Sequence, residues 1–217
     1  MITEKNPLLL GSASPRRSAI LASLGIPFVV LPADIDEDVH PGEPPLGYLE
    51  RIVEAKLAAV WSRLEVDGLR GAVSVAAVLV ADTIVVLDET IVGKPADVAD
   101  AQVTLARLVG RTHTVFTRYL LGRHVRNRSG QQHLGARTVR TEVKLRDATP
   151  DEVKAYARTG EGLDKAGAYA AQGIGAFLVE GLAGSYSNVV GLPACELITD
   201  LQQSGLLGVF PKAVAEL

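Results

Sequence analysis

The sequence predicts an α/β fold, and three observations carry that prediction. Residues 75–81 (Val-Ala-Ala-Val-Leu-Val-Ala) are apolar at every position, the mark of a strand covered on both faces. Other short apolar runs, at 8–10 and 27–31, alternate with segments whose apolar residues recur at the helical period. Hydrophobic residues fill 47% and charged residues 22% of 217 positions, enough apolar material for a sizeable core. A chain of that length forms one larger domain or two lobes sharing a cleft.

In chain order, 8–10 is a short buried strand ending in Gly11-Ser12-Ala13. Ser14-Pro15 then reads as an N-cap followed by proline at the first helical position, opening a helix over 15–24 that Gly25 stops. Arg16 and Arg17 follow inside its first turn. Backbone N–H groups at a helix start attract anions, and two guanidiniums add a shape suited to a phosphate chain. An ordinary strand–turn–helix with solvated arginines is the competing reading. After a second strand at 27–31 come Asp34, Asp36, Glu37 and Asp38, either an acidic surface loop or a cation site, and then a turn-rich run over 40–45.

Residues 46–64 form an amphipathic helix, with Leu49, Ile52, Val53, Leu57, Val60, Trp61 and Leu64 on one arc. Lys56 falls inside that arc, so it either snorkels to solvent, the commoner outcome, or points into a polar cleft. The strand over 75–81 runs straight into Asp82-Thr83. In open α/β sheets, ligands collect at the carboxyl ends of central strands, and a carboxylate there is a candidate for metal ligation or base chemistry. Residues 84–87 and 90–92 flank Asp88-Glu89 as a hairpin, followed by Gly93-Lys94-Pro95, whose proline and glycine can aim the lysine.

Residues 97–109 are a further helix, with Asp97 or Asp100 as cap and Gly110 as stop. A long antiparallel hairpin is expected from 112–121 and 138–145, with a polar, basic stretch over 123–135 and a mobile tip at 127–130. Thr149-Pro150-Asp151-Glu152 is a capping box that opens a helix to Arg158. The Gly- and Ala-rich stretch 159–173 carries Glu161, Asp164, Lys165 and Gln172. Its small residues let a backbone approach a ligand closely, and its polar ones can hold it. A strand at 175–179 and a last helix over 193–204 complete the pattern.

Composition excludes several classes. The net charge of −3 argues against a general nucleic-acid coat, and the single Cys195 rules out an internal disulfide. No apolar run approaches the ~20 residues of a membrane span. The opening residues 1–7 are too polar for a secretory leader, so a cytoplasmic location is expected. There is no P-loop lysine motif and no Gly-x-Ser-x-Gly elbow, and His40, His113, His124 and His133 lack metal-ligand spacing. What remains is a set of cations (Arg16, Arg17, Lys56, Lys94, Lys165) with carboxylates at Glu37 and Asp82. If they converge, they suit a Mg²⁺-dependent reaction at phosphorus.

The motifs Ser12-Ala13-Ser14-Pro15-Arg16-Arg17, Ala81-Asp82-Thr83, Gly93-Lys94-Pro95 and Asp164-Lys165-Ala166-Gly167-Ala168-Tyr169-x-x-Gln172-Gly173, in this order, resemble the Maf family of nucleotide pyrophosphatases. The match runs on through residues 184–193 and covers nearly the whole chain. The resemblance implies a single Maf-like domain over 1–217, with a mixed, elongated sheet flanked by helices. It implies two lobes around one deep central cleft, as in inosine triphosphate pyrophosphatase. It also implies hydrolysis of a nucleoside triphosphate to the monophosphate and pyrophosphate with a divalent cation, Mg²⁺ or Mn²⁺.

By the same resemblance, Asp82 is the proton acceptor, and Ser12, Ser14, Arg16, Arg17, Lys56, Lys94 and Lys165 contact substrate. Glu37 joins Asp82 near the metal. Subfamilies differ at the positions of Arg17, Thr83 and Gln172, and the form here is similar to the branch acting on dTTP, UTP and related pyrimidine nucleotides. Gln172 offers a donor and an acceptor suited to a pyrimidine edge. The residues leave open whether Asp82 serves as base, metal ligand or both. Two rival readings stand beside this one, a 7-methyl-GTP pyrophosphatase of the same family and a non-catalytic nucleotide-binding regulator of septum formation. Ala13 departs from the glycine usual between the two serines, and the 123–135 stretch is longer than usual. A homodimer is left open.

Overall fold

In the computed structural model of the chain, which describes residues 1–66, 74–124 and 131–211, helices flank one mixed sheet. The elements are β1 (Leu8–Leu10), α1 (Pro15–Ser23), β2 (Phe28–Val30), α2 (Pro45–Val66), β3 (Ala77–Leu87), β4 (Thr90–Val92) and α3 (Val98–Leu108). They continue with β5 (Thr112–His124), β6 (Gln131–Leu145), α4 (Pro150–Arg158), 3₁₀ turns at Ala166–Ala168 and Gly173–Leu178, β7 (Val179–Ala183), α5 (Tyr186–Val190) and α6 (Ala194–Gln203). The sheet order is β2-β1-β3-β5-β6-β7, with β4 paired to β3 off that path. β1 pairs parallel with β2 and β3, and the other pairings are antiparallel.

Local signals act as expected at the helix ends. Asp97 caps α3 by accepting from the Asp100 amide, and Thr149 and Glu152 close a full capping box on α4. Such caps are worth about 1 kcal/mol each. Ser14 sits at the N-cap of α1 with Pro15 behind it, yet its side chain makes no capping bond. Gly25 and Gly110 follow α1 and α3 with φ of 62° and 72°, where a side chain would be strained.

One expectation changes at the centre. Residues 75–81 and 84–87 do not form two strands parted by Asp82-Thr83; β3 is continuous through both. β5 pairs with it from Val78 to Val86 without a break, so the ladder carries the two polar residues along. Asp82 therefore sits in mid-strand. On the opposite edge, β1 reaches only to Leu79 and β4 begins at Val85, which leaves residues 80–84 without a strand partner there. Asp82 lies past the end of the parallel ladder, in that gap.

Alternation along β3 then sorts the core. Ala77, Leu79 and Ala81 join the cluster built with α1 and α6, and Val85 and Leu87 join one with α3 and α4. Thr83 lies between those clusters. On the other face Val78 and Val80 pack on Val53, Leu57 and Trp61 of α2, and Ile84 packs on Leu49 and Ile52. Asp82 lies between these. The apolar core is thus interrupted on both faces at one level of the strand.

Two further differences concern loops. The return strand β6 begins at Gln131 rather than at 138, because β5 pairs with it out to His124. The tip placed at 127–130 lies outside the described residues. Residues 175–179 are mostly a 3₁₀ turn rather than a strand. The Glu161 carboxylate takes the Ile174 and Gly175 amides, so those donors are not available to a ladder.

Candidate active site

The site is built on the gap in the β3 edge. Lys56, on the buried arc of α2 and 6% exposed, donates from Nζ to Asp82 Oδ1 at 2.7 Å and lies 2.7 Å from Glu37 Oε1. It points into the protein rather than snorkelling. A lysine held among leucines keeps its charge at acceptable cost only beside carboxylates, and here it has two. Burial alone would lift the Glu37 carboxyl. The hydrogen bond and charge of Lys56, joined by Lys94 and Arg17, outweigh that and hold it below its ordinary value. Tyr48, two turns before Lys56 on α2, donates to the Glu37 carbonyl at 2.9 Å and fixes the acidic loop.

The Gly11–Arg17 turn forms a second wall. Gly11 hydrogen-bonds from its amide to the Leu79 carbonyl at 2.8 Å, extending the pairing by one residue. A Cβ there would fall 2.7 Å from Val80 Cγ1 and 2.8 Å from Val60 Cγ2, so only glycine fits. Arg17 is buried and fully engaged. Its Nε donates to the Gly191 carbonyl at 2.9 Å, and its two terminal nitrogens donate to Ser12 Oγ at 2.9 Å and Thr83 Oγ1 at 3.2 Å. Burial pulls this guanidinium below its ordinary value, Asp82 and Glu37 oppose the shift, and Arg16 adds to it. Arg16 is more open and pairs with Asp164 across the pocket at 3.0 Å.

The third wall comes from the Gly- and Ala-rich segment. The Gly167 amide donates to the Gly93 carbonyl at 3.1 Å, which brings this segment beside Lys94. Lys94 is largely exposed, with Nζ 3.9 Å from Glu37 Oε2. Lys165 donates to Asp164 Oδ1 and to the Glu161 carbonyl, both at 2.5 Å. Tyr169 lines the pocket, and its hydroxyl shares a 2.8 Å hydrogen bond with Nε2 of the buried His113. Burial pushes His113 down to about 4, so its imidazole is neutral at ordinary pH.

These walls enclose a pocket of about 360 Å³. Ser12, Ser14, Arg16, Arg17, Glu37, Lys56, Asp82, Thr83, Lys94, Lys165 and Gln172, the residues singled out in the sequence, all line it. Five cations face three carboxylates there, so the pocket is net positive in a chain of net charge −3. Such focusing attracts an anion. The sequence gives no role to Tyr48 or Tyr169, and it marks Asp164 only as one of the polar residues able to hold a ligand. Tyr48 was recognisable from its spacing of eight residues before Lys56, which puts both on one helix face. Nothing local marks the apolar lining from Val85, Val115, Val189 and Val190, which folding alone assembles.

The family model described as Maf-like protein matches residues 7–204. The chain belongs to the Maf family. This Maf-like chain is 46% identical over 190 residues to the dTTP/UTP pyrophosphatase of Moorella thermoacetica, covering 88% of this chain and 91% of that protein. It is 46% identical over 207 residues to the dTTP/UTP pyrophosphatase of Myxococcus xanthus, covering 95% and 96%. It is 43% identical over 204 residues to the protein of that name in Geobacter sulfurreducens, covering 94% and 100%. Among the described residues no helix is long and apolar enough to cross a membrane.

Proposed function

We propose that this Maf protein hydrolyses dTTP, UTP and related or modified pyrimidine nucleoside triphosphates to the monophosphate and pyrophosphate. The observation that carries the proposal is the pairing of Lys56 with Asp82 and Glu37, at 2.7 Å each, in a net-positive pocket walled by Arg16, Lys94 and Lys165. A binding-only regulator could do without these carboxylates, which oppose the binding of a polyanion; beyond compensating the buried Lys56 charge, they suit base chemistry or a cation. The similarity to proteins named dTTP/UTP pyrophosphatase supports the pyrimidine substrates.

In this reading the water oxygen bonds to the α-phosphorus while the bond from that phosphorus to the bridging oxygen breaks and pyrophosphate leaves. Asp82 accepts the water's proton or orients the water, held in place by Lys56. Arg16, Lys94 and Lys165 clamp the phosphate chain with Ser12 and Ser14, and Lys56 stands beside the reacting phosphate. Arg17 and Thr83 form the floor, and Gln172 meets the base edge.

A divalent cation fits the donors present. Two carboxylates, Glu37 and Asp82, face one point at Lys56 Nζ. Among the described residues no group of three or more His, Cys, Asp or Glu is arranged to hold a metal. Two carboxylates alone are too few ligands, so a Mg²⁺ or Mn²⁺ ion beside Lys56 would be completed by substrate phosphates and water. Glu37 and Asp82 would hold it, and when bound it would neutralise phosphate charge and lower the pKa of a bound water. The reading takes residues 1–217 as one domain with two lobes around this pocket, working in the cytoplasm.

Pyrophosphate release across a panel of nucleoside triphosphates with Mg²⁺ or Mn²⁺, beside Asp82→Asn, tests it. Turnover of dTTP and UTP that collapses in the variant is expected. Tight nucleotide binding without turnover would leave only the regulator, and preference for 7-methyl-GTP would reassign the substrate.

A further inference from the structure

Glu161 lies outside the pocket lining, yet it is the most connected carboxylate of the third wall. Its Oε1 accepts from the Ile174 amide at 2.9 Å, and its Oε2 accepts from the Gly175 amide at 2.7 Å and the Tyr156 hydroxyl at 2.8 Å. Its carbonyl accepts from Lys165 Nζ at 2.5 Å. The Tyr156 hydroxyl in turn accepts from the Ala170 amide at 3.0 Å, and Ala170 lines the pocket.

The surrounding backbone is folded tightly onto this point. A Cβ on Gly173 would meet Glu161 Oε1 at 2.2 Å, one on Gly175 would meet the Ala170 carbonyl at 2.4 Å, and one on Gly162 would meet the Ala168 carbonyl at 1.9 Å. Gly173 is therefore required where the chain meets the carboxylate, and Gly162 and Gly175 where residues 161–175 pack on one another. Lys165 and Gln172 both sit on that loop and face the pocket.

We propose that Glu161 is a positioning residue that couples the phosphate-facing Lys165 to the base-facing Gln172, so that one half-buried, fully hydrogen-bonded anchor sets the distance between the two ends of a bound nucleotide. This rests on the nucleotide-hydrolase reading above. Burial alone would raise the Glu161 carboxyl, and the Gly175 amide, Tyr156 hydroxyl and Ile174 amide together overcome it, so the anchor carries charge in use. A charged acceptor on two amides and a phenol is a strong tie for a loop otherwise made of small residues.

The test compares Glu161→Gln, Glu161→Ala and Tyr156→Phe by steady-state hydrolysis of dTTP and UTP and by amide exchange at Ile174 and Gly175. Glu161→Ala is expected to lower kcat/KM by roughly tenfold or more, chiefly through KM, with Glu161→Gln and Tyr156→Phe between it and wild type. In a cycle with Gln172→Ala the two losses should combine to less than their product, because one acts through the other. Amide exchange at Ile174 and Gly175 should quicken while the remaining protected amides stay slow.

Wild-type kinetics in Glu161→Ala, or losses that multiply with Gln172→Ala, would overturn the coupling. Should Glu161→Ala fail to fold, Glu161→Gln and Tyr156→Phe carry the same comparison. A wild-type protein that releases no pyrophosphate would remove the functional reading alone. The exchange measurement then still decides whether Glu161 holds the loop, and unchanged exchange refutes it.

Discussion

Lys56 Nζ stands 2.7 Å from Asp82 Oδ1, joining the apolar arc of α2 to the one stretch of β3 that lacks a partner on its β1 side. Both side chains are nearly buried, and Glu37, more open, closes the group. Removing Lys56 leaves the nearly buried Asp82 facing the half-open Glu37 carboxylate with no cation between them, whereas removing the Asp82 charge leaves Lys56 still paired with Glu37. Lys56→Met is therefore expected to cost about 3 kcal/mol of stability and Asp82→Asn about 1–2. Denaturant melts rank the two, while kcat for dTTP falls at least about 100-fold in Asp82→Asn.

The adjacent arginines separate in the same way. Arg17 spends its fork on Ser12, Thr83 and Gly191, and a lysine cannot reach three acceptors from one point. Arg17→Lys should lose about 2 kcal/mol of stability together with activity. Arg16 makes one exposed pair with Asp164, so Arg16→Ala should move stability by less than about 1 kcal/mol and act on KM. Thermal melts and Michaelis curves, measured side by side, distinguish a strut from a clamp.

His113 makes stability depend on pH. Burial lowers its pKa from 6.5 to about 4, so between those values the unfolded chain binds a proton that the folded one refuses. Stability is then full above pH 6.5 and is lost as pH falls toward 4, by about 3 kcal/mol in all. The effect is absent from His113→Gln, which keeps a hydrogen-bonding group beside Tyr169. Unfolding curves at several pH values for both proteins measure the difference in slope.

Gly11→Ala puts a methyl group against Val80 and Val60 at under 3 Å. The turn must move away from β3, carrying Ser12 with it. A loss of about 1–3 kcal/mol is expected, with a larger proportional loss of turnover. Replacing Val60 by Ala in the same chain should restore part of both.

Helix ends and the ordered motifs whose residues line the pocket are legible in the sequence. The capping box at Thr149, the arc of α2, the Asp97 cap and the motifs in order are all carried by neighbours within a few residues, where hydrogen bonding and periodicity act. The sequence also marked Lys56 as out of place on its arc, but left its direction open. That direction is set by packing, because the partner lies 26 positions away on another element.

The same holds for Arg17, whose acceptor at Gly191 is 174 positions distant, and for Arg16 and Asp164, 148 apart. Asp82 in mid-strand rather than at a strand end follows from the unbroken pairing with β5, and the 3₁₀ turn at Gly173–Leu178 from the hold of Glu161 on two amides. A buried charge takes whatever partner the packed chain brings within reach. Strand order and the closure of the core, rather than local propensity, set who that partner is.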